Sequence, residues 1–177
     1  SKGCKDIDAI TITQPVAALT NSFTQTNISC FGGSNGSIDL TVAGGTSPYT
    51  YKWSNGATVQ SVSGLSAAAI SATVTDTKGC KITASFTITE PTVLSIKKDS
   101  TSASCNGVND GKATVTVSGG TPSYTYKWSN GATTQSISSL AAGTYSVTVK
   151  DSKGCVITSK MKVAEPTPLF TSSLVVT

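Results

Sequence analysis

Apolar and polar residues alternate in short stretches along this chain, which predicts β-strands. Residues 49–58 read Tyr-Thr-Tyr-Lys-Trp-Ser-Asn-Gly-Ala-Thr, so three aromatic side chains alternate with Thr and Lys. A period of two residues is typical of a strand with one buried face. Asn55-Gly56 follows the aromatic run and predicts a hairpin with a type I′ turn, because both central residues of that turn need positive φ.

The same ten residues recur without a change at positions 124–133. Trp53 and Trp128 are the only tryptophans, and they lie 75 residues apart. A fixed period of this length predicts a tandem array of small domains. We expect the last strand of a truncated preceding repeat, two whole repeats and the first strand of a truncated following repeat. The corresponding residues are 1–15, 16–91 (repeat one), 92–166 (repeat two) and 167–177.

Each repeat contains six or seven short strand-like stretches separated by Gly, Asn and Asp turn signals, and helical periodicity is absent. These features predict an all-β fold made of tandem immunoglobulin-like β-sandwich repeats. Short Glu-Pro-Thr junctions at residues 90–92 and 165–167 predict that the repeats form a rod, because proline stiffens the chain.

The aromatic residues of each copy are predicted to anchor the core, since a tryptophan at this place in a sandwich commonly packs between the sheets. The alternative is an aromatic platform that binds sugars. The predicted core anchors are Tyr49, Tyr51, Trp53, Tyr124, Tyr126 and Trp128.

The charged residues exclude several classes of function. The net charge is +4, yet all 13 basic residues are lysines, and the chain has neither Arg nor His. Without His the usual neutral-pH general base is missing, so we predict that the chain is not an enzyme. Without Arg, and with scattered lysines, no nucleic-acid partner is expected. No run of about twenty apolar residues is present, so we expect no membrane insertion.

The five cysteines follow the repeat period. Both whole repeats space their two cysteines by fifty residues, which predicts the disulfides Cys30–Cys80 and Cys105–Cys155. Cys4 is then unpaired by truncation. A metal site would need paired Cys-x-x-Cys knuckles, and these are absent. If six strands alternate in direction, the two turns that carry each pair lie at the same end of the sandwich.

Calcium is the only cofactor that the sequence suggests, and its signal is weak. Asp110 lies in a loop that resembles an acidic calcium loop, but repeat one has Asn35 at that position. Asp76 and Asp151 recur in both repeats, although Asp before Lys-Gly is also ordinary turn chemistry. These three carboxylates are the calcium candidates, and no other cofactor is predicted.

The recurring motifs together resemble the SprB repeat of large cell-surface adhesins in gliding Bacteroidetes. The pieces that carry the resemblance are Cys-x-Gly-x-x-x-Gly, Gly-Gly-Thr, the ten-residue aromatic segment, Leu-Ala-Ala-Gly-Thr-Tyr-Ser-Val-Thr-Val-x-Asp-Ser-Lys-Gly-Cys and a closing Glu-Pro. Repeat one departs from the pattern at residues 68–70. The resemblance implies an extracellular, cell-surface protein exported across the outer membrane. It also implies adhesion to surfaces and attachment to motility machinery through other parts of the full protein.

The sequence therefore predicts a repeat segment of a secreted adhesin that acts as a stiff, disulfide-stapled stalk in surface adhesion and gliding. Its expected partners are neighbouring repeats of the same chain and an external surface or polysaccharide. The alternative function is a lectin-like module that binds polysaccharide directly through exposed Tyr and Thr.

Overall fold

The computed structural model describes residues 17–168, which fold into two compact units built from strands. The first unit takes the chain up to Asn27 together with Asn35–Ile88, and the second takes Ile28–Ser34 together with the chain from Thr89 onward. The strands of the first unit are β1 (Thr20–Thr26), β2 (Gly36–Ala43), β3 (Thr50–Trp53), β4 (Ser61–Leu65), β5 (Ala68–Thr75) and β6 (Lys81–Ile88). Those of the second are β7 (Ser95–Thr101), β8 (Gly111–Ser118), β9 (Thr125–Trp128), β10 (Ser136–Leu140), β11 (Gly143–Lys150) and β12 (Val156–Val163).

Each unit is a sandwich of two three-stranded antiparallel sheets. The sheets of the first unit have the orders β1-β2-β4 and β3-β5-β6, and those of the second have the orders β7-β8-β10 and β9-β11-β12. The predicted all-β, immunoglobulin-like fold is confirmed. The rod stays a prediction.

The core of each sandwich is filled by alternate residues from both sheets, because successive side chains of a strand point to opposite faces. In β2, Ile38 and Leu40 are buried while Asp39 is exposed. The second unit uses residues from all strands except β7. Its core cluster comprises Ala113, Val115, Trp128, Ile137, Leu140, Val147, Val149, Met161 and Val163.

The two tryptophans lie at the centre of these cores. Trp53 is 1% exposed and Trp128 is 2% exposed. Each indole N–H donates to a backbone carbonyl, that of Val59 at 2.7 Å and that of Thr134 at 2.8 Å. Burial of the ring with its one polar group paired is the arrangement that makes a tryptophan a strong core residue.

The tyrosines beside the tryptophans occupy the edge of the core. All four predicted anchors of this type are half-buried. The hydroxyl of Tyr49 donates to the Gly44 carbonyl at 2.6 Å, and that of Tyr124 donates to the Gly119 carbonyl at 2.7 Å. Tyr51 and Tyr126 lie one pleat further along the same strands.

The predicted type I′ hairpin after Trp53 is wrong. Gly56 has φ of 88°, but Asn55 is not among the described non-glycine residues with positive φ. The Gly56 N–H donates to the Trp53 carbonyl at 3.0 Å. β3 then pairs with β5, while β4 joins the other sheet beside β2. The buried indole bonded to Val59 carries the chain across the sandwich, so the next strand does not return alongside β3.

Two glycines in each Gly-Gly-Thr turn are required by the close approach of another segment. Gly44 has φ of 71°, and a Cβ there would lie 1.9 Å from the Ala18 carbonyl oxygen. Gly119 has φ of 73°, with the Val93 carbonyl oxygen at the same 1.9 Å. Any larger residue would push the strand that follows β2 or β8 away from its neighbour.

Truncation of Trp128 should strongly destabilise the second unit. Trp128→Ala removes a fully buried ring and is expected to lower the free energy of unfolding of that unit by about 3–5 kcal/mol. Differential scanning calorimetry measures the loss, and Trp53 fluorescence in the same variant reports on the first unit. Trp53→Ala with Trp128 retained is the matched experiment. Quencher-accessible, red-shifted tryptophan emission from the folded wild-type protein would contradict the burial.

Candidate functional site

The cysteines define the most distinctive site in the described chain, and their pairing differs from the prediction. Cys30 is bonded to Cys155 with an S–S distance of 2.06 Å. Cys80 and Cys105 are free and exposed. The predicted pairs Cys30–Cys80 and Cys105–Cys155 are therefore wrong. The reason is that the segment carrying Cys30 belongs to the second unit rather than to the unit that contains Cys80.

Cys4 lies outside the described residues, so its predicted unpaired state stays a prediction.

Residues 28–34, here called the cysteine loop of repeat one, are held by backbone contacts within the second unit. The Ile28 N–H donates to the Thr89 carbonyl at 2.9 Å. The Gly32 N–H donates to the Glu90 carboxylate at 2.6 Å. The loop also closes on itself, since the Gly33 N–H donates to the Cys30 carbonyl at 2.9 Å. These bonds fix the backbone on both sides of Cys30.

The partner cysteine lies in residues 151–155, the closing turn of repeat two between β11 and β12. Asp151 is 4% exposed, and its carboxylate accepts three backbone N–H groups. One oxygen accepts from Lys153 and Cys155, both at 2.9 Å, and the other accepts from Thr121 at 2.8 Å. Asp151 therefore ties the closing turn to the Gly-Gly-Thr turn and orients the backbone of Cys155.

The closing turn of repeat one, residues 76–80, has the same construction. Asp76 is 5% exposed. Its carboxylate accepts from the N–H groups of Thr46 at 3.0 Å, Lys78 at 2.9 Å and Cys80 at 2.8 Å. Both aspartates act as structural acceptors, with each oxygen already bonded to the backbone.

The protonation of these aspartates follows from their hydrogen bonds. Burial acts to raise the pKa of Asp151, but the backbone N–H donors, led by that of Thr121, outweigh it and hold the pKa below its ordinary value. The pKa of Asp76 is lowered in the same way, burial being outweighed by the N–H groups of Cys80 and Thr46 among others.

Asp110, the third calcium candidate, also has a structural partner. Its carboxylate accepts the N–H of Ser104 at 2.9 Å, and hydrogen bonding to Ser104 lowers the pKa of Asp110. Across residues 17–168 no group of three or more His, Cys, Asp or Glu side chains could hold a metal ion. The structure thus does not bring the three candidate carboxylates together.

A groove in the first unit is the clearest concave surface outside the cysteine site. It has a volume of about 310 Å³ and lies beside residues 68–70, where repeat one departs from the repeat pattern. Repeat two has Tyr145 at the position of Ile70, and the Tyr145 hydroxyl donates to the Ala141 carbonyl at 3.0 Å. The groove lining comprises Ser54, Asn55, Leu65, Ser66, Ala68, Ala69, Ile70 and Ile88.

The fold and the paired cysteines define a tandem immunoglobulin-like repeat region. The family model described as SprB repeat matches residues 22–58 and 98–133. The chain therefore contains two SprB repeat segments, as its motifs predict. SprB repeats come from cell-surface adhesins, so this is an adhesin-type repeat region, and a disulfide fits an extracellular location.

A search of curated proteins gave no match. Among solved structures, one described as "Structural basis for Dscam isoform specificity" is 12% identical with a TM-score of 0.40, covering 86% of this chain and 47% of that chain. The N-terminal eight Ig domains of Down Syndrome Cell Adhesion Molecule are 12% identical with a TM-score of 0.42, covering 84% and 25%. The amphioxus IgVJ-C2 molecule is 11% identical with a TM-score of 0.32, covering 81% and 96%. This chain thus spans about half and a quarter of the length of the first two.

The part of the chain that the structure describes has no helix long and apolar enough to cross a membrane.

The Asp151 network should make stability depend on pH in the acidic range. Because the folded pKa is lowered, its contribution is fully present above the unfolded value of about 3.9 and is lost as the pH falls through the folded pKa. Asp151→Asn is expected to lower the melting temperature at pH 7 and to reduce the further loss in acid. Thermal melts from pH 7 to 2 measure both effects, with Asp76→Asn as the matched variant. A wild-type melting temperature and acid slope in Asp151→Asn would contradict the assignment.

Proposed function

We propose that this chain is a stalk segment of a secreted adhesin, and that it transmits force and sets reach while specific adhesion lies mainly elsewhere. The observation that carries the proposal is the Cys30–Cys155 disulfide, which joins two cysteines 125 residues apart. Tension applied to the two ends of the chain passes through this bond. The strands between the two cysteines are thereby bypassed and do not extend.

The repeated residues support the same function, because their polar groups are bonded within the fold. The indole of Trp53, the hydroxyl of Tyr49 and the carboxylate of Asp76 all have backbone partners. Their counterparts in repeat two make the same contacts. Side chains used in this way maintain a domain, and they leave few large anchors for a binding partner.

The wider setting completes the proposal. Resemblance to SprB repeats supports export across the outer membrane and a role in gliding, with attachment to the motility machinery through other parts of the full protein. An array of such repeats lengthens a filament in proportion to its copy number. Neighbouring repeats are the immediate partners, and an external surface is the final one.

The force path can be tested by pulling the chain from its two ends in single-molecule force spectroscopy. In the oxidised protein the segment between Cys30 and Cys155 should contribute no extension. Reduction, or Cys155→Ser, should release a further contour length of roughly 400 Å, since 125 residues extend by about 3.3–3.6 Å each. Equal contour lengths in oxidised and reduced protein would overturn the proposed force path.

Direct binding of polysaccharide is the second candidate function, and the groove in the first unit favours it. The groove carries polar groups of Ser54 and Asn55 beside an apolar floor. Small polar groups above apolar side chains are typical of small-ligand sites. Several weak sites along a filament could add their affinities through multivalency.

A glycan array and surface-adsorption assay with the whole chain decides between the two functions. The stalk proposal predicts no saturable binding. The discriminating variant replaces residues 68–70 by those of repeat two, through Ala68→Gly, Ala69→Thr and Ile70→Tyr, which should fill the groove. Asn55→Ala and its repeat-two counterpart Asn130→Ala form a matched pair. Saturable, sugar-competed binding that is lost in the filled variant and in Asn55→Ala, but kept in Asn130→Ala, would favour the lectin.

A further inference from the structure

Each half of the Cys30–Cys155 disulfide occurs a second time in the chain. Cys105 stands 75 residues after Cys30, and Cys80 stands 75 residues before Cys155. Both are free and exposed, whereas the bonded cysteines are half-buried. The chain thus carries one completed bond and two separate halves of the same kind.

The free Cys105 lies in a loop built like the one that holds Cys30. In residues 103–109, the cysteine loop of repeat two, the Ala103 N–H donates to the Ala164 carbonyl at 2.8 Å. The Gly107 N–H donates to the Glu165 carboxylate at 2.8 Å. These are the counterparts of the two bonds that fix the cysteine loop of repeat one. The backbone around Cys105 is therefore already arranged as it is around the bonded cysteine.

The free Cys80 lies in a turn built like the one that holds Cys155. The Cys80 N–H donates to Asp76 at 2.8 Å, and the Cys155 N–H donates to Asp151 at 2.9 Å. The carbonyls of both cysteines accept the N–H of the same aspartate at 3.0 Å. Neither half of the bond needs a new backbone conformation in order to form.

The geometry points to a second disulfide of the same type, formed between Cys105 of one copy of this repeat pair and Cys80 of the next. The occupant of each free half is thus a further copy of the repeat. The cysteine loop of one repeat bonds to the closing turn of the repeat after it, as Cys30 bonds to Cys155. Bonds offset in this way overlap along an array, so that every repeat is covalently joined to its neighbour.

The surface beside Cys105 has room for such a closing turn. A cavity of about 430 Å³ lies there, lined by Ser104, Cys105, Asn106, Pro166 and Thr167. The completed site at Cys30 lies beside a smaller cavity of about 260 Å³, whose lining includes both bonded cysteines. The larger volume at Cys105 is what an unfilled version of the site would leave.

Bond formation requires a two-electron oxidant, and a small-molecule disulfide such as oxidised glutathione supplies it. The thiolate of Cys80 attacks one sulfur of the reagent, forms a mixed disulfide and releases one thiolate. The thiolate of Cys105 from another copy attacks the protein sulfur, forms the protein–protein bond and releases the second thiolate. Both thiol protons pass to the released thiolates, so that one disulfide is consumed and two thiols are produced.

The inference can be tested with the whole chain carrying Cys4→Ser, which removes the one further thiol. Equal amounts of isotope-labelled and unlabelled protein are mixed in a glutathione redox buffer and separated without reduction. A ladder of disulfide-linked oligomers is expected. Mass spectrometry of the linked peptides should show Cys80–Cys105 joined between labelled and unlabelled chains, well above the half share that random pairing of two thiols would give.

Two single variants provide the matched control. Cys80→Ser and Cys105→Ser, each alone, should remain monomeric. Their mixture should form one disulfide-linked dimer and no longer species, because each chain then offers only one of the two halves. Cys30–Cys155 should stay intact in every sample, which separates this outcome from misfolding.

Three outcomes would overturn the inference. One is a random mixture of Cys80–Cys80, Cys105–Cys105 and Cys80–Cys105 links. Another is a Cys80–Cys105 bond within a single chain. The third is the absence of any linked dimer at high protein concentration. All three concern the cysteines alone, so they are independent of whether the repeats bind carbohydrate or carry force.

Discussion

A buried carboxylate that accepts three backbone N–H groups fixes one end of each sandwich. Asp151 connects the turn between β11 and β12 to the Gly-Gly-Thr turn after β8. A buried ion is costly unless its charge is paired or hydrogen-bonded, and here three donors from two separate segments satisfy it. The Gly119 and Gly120 conformations and the orientation of Cys155 all follow from this arrangement. Asp76 does the same in the first unit.

The disulfide builds on that rigid turn. Cys155 is presented by a turn whose backbone is fixed, and Cys30 is presented by a loop whose N–H groups bond to Thr89 and Glu90. Ordering both partners before the bond forms lowers the entropy that the bond must overcome. The consequence is a covalent connection between the loop of one sequence repeat and the turn of the next. A bond placed inside a single repeat would stabilise that repeat but would carry no load past it.

The two repeats differ where the fold tolerates difference. Phe86 in β6 is buried and packs edge-on to Phe23 with ring centroids 4.8 Å apart, whereas repeat two has the smaller Met161 at the same position. Tyr145 takes the place of Ile70, opposite that pair in the sheet. Each repeat thus keeps one larger side chain across the β5–β6 or β11–β12 pair. Repeat one keeps it on the outer strand of its pair, and this leaves the groove beside residues 68–70.

The sequence by itself determined the strands, the two sandwiches and the burial of Trp53 and Trp128, because alternation and turn signals act over a few residues. It did not determine the path after the aromatic strand, since Asn-Gly suits a hairpin and only the buried indole carries the chain to the other sheet. Nor did it determine the cysteine pairing. Bonds inside each repeat and bonds offset by one repeat have the same sequence period. Only the packing of residues 28–34 with the second unit decides between them, and that packing is a long-range contact that local spacing does not encode.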